Sequence, residues 1–235
     1  MGKWVANSKS DWMQALSVNP WFNSVPVAER KAMLAAADAL LLHPGEMLFR
    51  KGDAGGGFFA VLSGALKVST LGEDGREGIL SVLEAGIWFG ETSHFDGEPR
   101  PHDVTAVEET EVLVIAPAAF ARLMRRNAFA FAMAVLMSVR IRALYGLVED
   151  SMLRTTSTRI ARRLLALTHG DATMALDART NVAVSQEALA MMLGITRQTL
   201  SKELKIMARA GVLSLGYGRI DILSLADLEA CAALA

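Results

Sequence analysis

Apolar positions along this chain change their spacing twice, and each change predicts a different kind of structure. From about residue 44 to residue 116 the apolar runs are short: Phe58-Phe-Ala-Val-Leu62, Ala65-Leu-Lys-Val-Ser69, Gly78-Ile-Leu-Ser-Val-Leu83 and Glu111-Val-Leu-Val-Ile115. Glycine turns separate them at Pro44-Gly-Glu46, Lys51-Gly-Asp53, Ser63-Gly64, Glu73-Asp-Gly75, Ala85-Gly86 and Asp96-Gly97. Such runs, broken by turn residues every ~8–12 positions, predict an all-β sandwich or barrel. Leu66 and Val68 alternate with Lys67 and Ser69, the period of a strand with one wet face. A small closed β-roll is the economical outcome. Ahead of it, Val27 to Leu42 reads as a helix with Pro26 near its start.

At Pro117 the period turns helical, and proline suits a first helical turn because its missing N–H has no partner there anyway. After a break near Arg126-Asn127 the helical pattern runs to about Leu153, without proline and with only Gly146 inside it. Ala134, Met137, Ile141, Leu144 and Val148 recur at a 3-4-3-4 spacing, the seam of a two-stranded coiled coil. Phe129 and Phe131 are expected to pack on the chain's own roll, while the seam faces a second copy. Thr155-Thr-Ser-Thr158 then interrupts the helix, and hydroxyl side chains that compete for helical hydrogen bonds predict a hinge. Arg159 to Leu167 forms the first helix of a C-terminal module.

Within that module, Ser185 to Leu204 reads as two short helices joined by a tight turn. Ser185 and Thr196 are suited to cap the two helix starts, and Gly194 to supply a left-handed residue between them. Leu189, Leu193, Leu200, Leu204 and Met207 fall at helical spacing and pack the pair together. Arg197, Gln198, Ser201 and Lys202 are left on the outer face of the second helix, a set of long donors suited to the major groove. That is a helix-turn-helix DNA reader. Gly211 to Gly218 and Arg219 to Leu223 follow as two short strands around a glycine turn, a wing of the kind that rests on the phosphate backbone.

The overall formal charge of −1 says nothing about DNA, but its distribution does. Residues 1–150 carry 14 basic and 18 acidic side chains, whereas residues 154–219 carry 10 basic and 4 acidic, a net of +6. A basic module joined to a mildly acidic one suits phosphate contact by the second part alone. Cys231 is the only cysteine, which excludes an intrachain disulfide and a cysteine-ligated iron–sulfur cluster within one chain. Met1 to Ser8 lacks the apolar core of a signal peptide, and the longest apolar run, Ala128 to Met137, is about half of what a membrane span requires. A cytoplasmic protein with no membrane association is expected.

Roll, long helix, hinge and winged helix-turn-helix, in that order, resemble the cyclic-AMP receptor protein and fumarate–nitrate reduction regulator (CRP/FNR) family from about residue 20 onward. The most specific pieces are Lys51-Gly-Asp53 with Ser63-Gly64, Phe89-Gly-Glu91, Phe95-Asp-Gly-Glu-Pro-Arg100, Thr158-Arg-Ile-Ala161 and the two-helix segment. The resemblance implies an α+β chain with an effector-sensing roll over 1–127, a dimerisation helix over 128–154 and a DNA-binding domain over 155–235. It also implies a homodimer on double-stranded DNA that recruits or blocks RNA polymerase. In nucleotide-binding relatives a Gly-Glu pair and a later Arg-Ser or Arg-Thr pair hold the phosphate. Here the matching positions are Gly90, Glu91, Thr92, Arg100 and Pro101, and proline offers neither N–H nor hydroxyl. The family's adenine-reading hydroxyls map onto Leu144, which cannot hydrogen-bond a base, and Tyr145, which either bonds one or packs. Glu91 and Arg100 either contact a ligand or pair with each other. The effector is open between a cyclic nucleotide, a cyclic dinucleotide and none; haem stays open through His43, His94, His102 and His169.

On the DNA side Arg197, Gln198 and Lys202 are assigned to bases, Arg197 to guanine O6 and N7 and Gln198 to adenine N6 and N7. The best-known relatives have a glutamate at the position of Gln198, so the half-site should differ at that base pair. Ser201, Lys205 and Arg219 are assigned to phosphates; Arg162 and Arg163 either join them or are solvated. Two other classes are weighed: a cupin-like metal enzyme using His94, His102 and Asp103, whose sequence lacks the cupin histidine spacing, and a scaffold whose C-terminal module binds protein.

Overall fold

A computed structural model describes residues 8–169 and 179–233. Helices α1 (Lys9–Leu16), α2 (Pro20–Ser24) and α3 (Val27–Ala35) lead into eight strands: β1 (Ala37–Leu42), β2 (Met47–Phe49), β3 (Phe58–Ser63), β4 (Ala65–Leu71), β5 (Glu77–Glu84), β6 (Trp88–Phe89), β7 (Asp103–Ala106) and β8 (Thr110–Ile115), with the short helix α4 (Thr92–Phe95) between β6 and β7. They form two four-stranded sheets, ordered β1-β8-β3-β6 and β2-β7-β4-β5. Helices α5 (Pro117–Met124) and α6 (Asn127–Leu153) follow. After them come α7 (Thr156–Thr168), β9 (Asn181–Val182), α8 (Gln186–Leu193), α9 (Arg197–Arg209), β10 (Leu213–Gly216), β11 (Arg219–Ile222) and α10 (Leu225–Ala233). The chain divides into two compact units, one built from the chain up to Thr70 with Ser81–Ser138, the other from Leu71–Leu80 with the chain from Val139 onward.

Strand β3 explains how the first unit packs. Its sequence is continuously apolar because both faces are covered. Phe59 and Val61 enter the roll interior with Leu66, Phe89, Val104 and Val112. Phe58, on the opposite face, meets Trp21, Trp88 and Phe120 at ring-centroid separations of 5.2–6.4 Å. Trp21 also donates from Nε1 to the Ala132 carbonyl at 2.7 Å, tying α2 to α6. At the α5–α6 junction Arg126 forks onto the buried carboxylate of Glu29 on α3.

All six glycines of the anticipated turns have positive φ. Gly64 is the most constrained: at φ +78°, a Cβ there would stand 2.4 Å from the Glu109 carbonyl oxygen. No side chain fits that turn.

The helix expected from Val27 to Leu42 stops at Ala35. Ala37–Leu42 is instead an edge strand, paired antiparallel with β8 from Ala37↔Ile115 to Leu42↔Thr110. Alanine and leucine favour helix locally, but pairing with a partner far along the chain overrides that preference. The expected burial of Phe129 is found, and its ring sits 5.8 Å from Phe120. Phe131, two residues and about 200° of rotation further on, is 72% exposed and not packed on the roll as expected. The anticipated hinge is also shorter: Thr155 caps α7 by accepting from the Thr158 N–H, so Thr156–Thr158 already belong to that helix.

In the second unit α7, α8, α9, the β10-β11-β9 sheet and α10 share one core that includes Ile160, Leu164, Leu189, Leu200, Leu204, Ile220 and Leu228. Arg162 and Arg163 differ: the first is partly exposed and ion-paired, the second buried. Arg162 Nε donates to Asp150 Oδ2 at 2.7 Å, bracing the end of α6 against α7. Arg163 is buried and donates to the Leu80 carbonyl at 3.1 Å, because a guanidinium on the inner face of α7 must find an acceptor.

Candidate functional site

The two-helix segment is built by local signals. Ser185 accepts from the Ala188 N–H at 3.1 Å and Thr196 from the Thr199 N–H at 3.1 Å, satisfying donors that each helix start leaves open. Gly194 takes φ +65°, ψ +31° between them. Arg159 of α7 donates to the Leu193 carbonyl at 2.7 Å, so the last turn of α8 is held from outside as well. Sequence reasoning missed that role, although Arg159 lies within the Thr158-Arg-Ile-Ala161 motif.

Helix α9 has two unlike faces. Leu200, Leu204 and Met207 are buried. Arg197, Gln198, Ser201, Lys202 and Lys205 occupy an arc of about 140° on the other side. Four of these are exposed and Ser201 is half-buried. Among the described residues none of the five makes a side-chain hydrogen bond or ion pair. Their donors are available to an external partner. The wing residue Arg219 differs: its Nε lies 3.3 Å from Asp221 Oδ2, while Asp221 also accepts from Asn181 Nδ2 at 2.6 Å.

In the first unit Gly90, Glu91, Thr92, Arg100 and Pro101 come together around the β6–α4 turn. Gly90 sits at φ +90°, and a Cβ there would fall 3.2 Å from an Arg100 nitrogen and 2.9 Å from the Phe59 ring. Arg100 and Glu91 are both buried. The guanidinium donates to the Gly90 and Gly57 carbonyls, each at 2.7 Å. Its carbon lies 4.4 Å from the centroid of the Phe49 ring. Burial pulls the Arg100 pKa below its ordinary value, and the carboxylates of Glu91 and Asp53 pull the other way. Arginine stays protonated through such shifts. The arginine is thus a charged bolt between two backbone segments, almost wholly buried, with two of the five N–H donors of its fork spent on those carbonyls.

Tyr145 and the seam residues lie along α6. Ile141 is 52% exposed, Leu144 61%, Tyr145 71% and Val148 47%; Ala134 is exposed and Met137 half-buried. For the metal-enzyme alternative, no group of three or more His, Cys, Asp or Glu side chains among the described residues is placed to hold a metal ion. His94 instead stacks on Phe120 at 4.5 Å. Burial lowers its pKa first; a hydrogen bond to the Gly57 backbone opposes this. His102 is likewise lowered by burial and by Lys51, against the pull of Asp103.

Residues 40–127 match the cyclic nucleotide-binding domain and residues 158–231 the Crp-like helix-turn-helix domain. The chain is 28% identical over 212 residues to the cyclic AMP receptor protein of Thermus thermophilus, spanning 90% of this chain and 95% of that one. It is 27% identical over 173 residues to a CRP-like cAMP-activated global transcriptional regulator of Mycobacterium tuberculosis, covering 73% of this chain and 77% of the relative. In fold it is similar to FixK2 from Bradyrhizobium japonicum, with a TM-score of 0.74 at 20% identity over 85% of this chain and 98% of that one. The chain belongs to the CRP/FNR family, and it is a DNA-binding transcriptional regulator with a cyclic nucleotide-binding fold.

The buried geometry of Arg100 makes its substitution structural before it is functional. Arg100→Ala should lower unfolding stability by about 2 kcal/mol or more, since two buried carbonyls lose their donor. Urea denaturation measures this; an unchanged midpoint would show that the guanidinium bonds are replaceable by water.

Proposed function

We propose that two copies of this chain pair along α6 and present α9 to successive major grooves of a pseudo-palindromic operator. The observation that carries this reading is the set of unspent donors on α9, held opposite a fully buried apolar face. Arg197 and Gln198 read base edges with Lys202, while Ser201, Lys205 and Arg219 lie against phosphates, Arg219 only in part because Asp221 shares it. Half-sites spaced about 10 base pairs apart follow from two-fold pairing. Within this reading residues 1–127 sense, 128–154 pair and 155–235 bind DNA. The protein acts in the cytoplasm with RNA polymerase as its partner, and it catalyses no reaction.

The exposed face of α6 admits one competing reading. The helix is long and apolar enough to cross a membrane, with a mean hydropathy of 1.6 over its best window and only 17% of that window buried. Arg140 and Arg142 stand near its middle. On insertion scales each would cost roughly 2.5–3.5 kcal/mol at a bilayer centre, whereas Ile141, Leu144 and Val148 make a continuous seam for another helix. A second copy is the better cover.

The names of the Thermus and Mycobacterium relatives point to cyclic AMP for those proteins. For this chain the roll's ligand class is a cyclic nucleotide or cyclic dinucleotide, bound at Gly90, Glu91, Thr92, Arg100 and Pro101. Effector-independent DNA binding is the second reading, favoured by two observations: Arg100 is closed onto carbonyls, and Pro101 supplies no donor.

Selection of bound duplexes from a random pool should return an inverted repeat. Arg197→Ala should weaken binding to it by about 1–3 kcal/mol and relax preference at one base pair per half-site. Retained affinity and preference would place recognition elsewhere. Replacing Ile141 and Leu144 together with glutamate should convert a dimer to a monomer in sedimentation and weaken operator binding at least tenfold, about the effect of 1.4 kcal/mol. In a thermal-shift series of cyclic mono- and dinucleotides, an effector at ~100 times its dissociation constant should add about 2.7 kcal/mol of stability. No shift with any of them, together with tight operator binding by the free protein, would leave the effector-independent reading standing.

A further inference from the structure

The wing carries a side chain with no internal purpose. Strands β10 and β11 pair from Leu213↔Ile222 to Gly216↔Arg219, which leaves Tyr217 and Gly218 as a two-residue turn. Turns this short are stiff, because strand pairing fixes both ends. Gly218 takes φ +68°. Gly216 and Gly218 have no side chains to shield the residue between them, and Tyr217 is 106% exposed, the most exposed large apolar side chain described. Among the described residues it makes no hydrogen bond, ion pair or ring contact. A tyrosine with its ring and hydroxyl both in water gains nothing for the fold.

Its neighbours say what it faces. The arginine beside it lies back along the hairpin: a Cβ on Gly216 would fall 2.8 Å from Arg219 Cγ, so the glycine makes room for that stem. Asp221 then holds the Arg219 guanidinium near the base of the wing. The tip therefore leads with Tyr217, and the acidic group nearest in the hairpin is already engaged by Asn181 and Arg219. The hairpin also cannot swing independently of the recognition helix. Leu204 and Met207 of α9 share one core with Val212, Leu213, Ile220 and Ile222.

We propose that Tyr217 is a DNA-contacting residue that lies against the sugar–phosphate wall beside the groove entered by α9. Its ring covers a deoxyribose, and its hydroxyl donates to a phosphate oxygen. Tyrosine has the right chemistry, an apolar body with a polar tip, and side-chain hydroxyls are regular phosphate partners. The contact is uncharged. It adds affinity without releasing counterions, and it reads no base. This rests on α9 being the DNA-binding element.

Fluorescence anisotropy with a mixed-sequence duplex of about 30 base pairs, followed from about 50 to 200 mM salt, tests it, since backbone contacts persist on nonspecific DNA. Tyr217→Ala should bind roughly three- to tenfold more weakly at every salt concentration, with an unchanged salt slope and an unchanged melting point. Tyr217→Phe should fall between that variant and the original. Lys205→Ala, run alongside, should instead lower the slope by about 1. Weakening by Lys205→Ala with none by Tyr217→Ala overturns the proposal alone. Loss of neither overturns the DNA reading of α9 along with it. If Tyr217→Phe binds like the original, the hydroxyl–phosphate bond is wrong. If Tyr217→Ala changes the sedimenting mass instead, the occupant of the wing tip is a second copy, and the proposal fails.

Discussion

Burial of Leu200, Leu204 and Met207 sets the rotation of α9, and on that rotation depends which side chains face outward. Each fully buried leucine contributes about 1.5–3 kcal/mol relative to exposure, so rolling the helix by one position would expose apolar surface and bury lysine or arginine. The polar arc is therefore specified by its opposite. Caps at Ser185 and Thr196, the left-handed Gly194 and the Arg159 bond to Leu193 set the lengths of the two helices. Together they leave five polar side chains without partners among the described residues. Reading DNA requires such a surface, because donors already used inside the protein must be released before they can contact a base.

The roll shows the converse arrangement. Arg100 gives two of its donors to the Gly90 and Gly57 carbonyls and lies under Phe49. An arginine placed so is at once a candidate phosphate ligand and part of the scaffold that would receive the phosphate. The two bonds tie the guanidinium to separate loops of the roll, since Gly57 precedes β3 and Gly90 follows β6.

Local signals were legible and nonlocal ones were not. The turn glycines, the proline opening α5, the long helix α6 and the helix-turn-helix all depend on residues within a few positions of each other, and each stands where the pattern placed it. Helices α1 and α10 went unread, although Ser8 with Asp11 forms a reciprocal capping box that was available as a signal. Ala37–Leu42 was misread because its state depends on β8, some seventy residues on. The burial of Arg163 was not legible, because a basic residue on an amphipathic helix carries no mark of whether it meets water or the Leu80 carbonyl.

The amino-acid order alone determined the class of protein: a glycine-punctuated roll, a long seam-bearing helix and a capped helix pair with donors at major-groove spacing. Those features are set by backbone preferences and periodicity, which act over one or two turns of chain. Only the tertiary structure decided which charged groups are free and which are consumed. Arg197 and Lys202 are open, Arg219 is shared with Asp221, and Arg100 is closed onto the main chain. The physical reason is that the partners which close a guanidinium, such as Gly57 for Arg100 and Leu80 for Arg163, come from segments remote in sequence whose approach is fixed by packing.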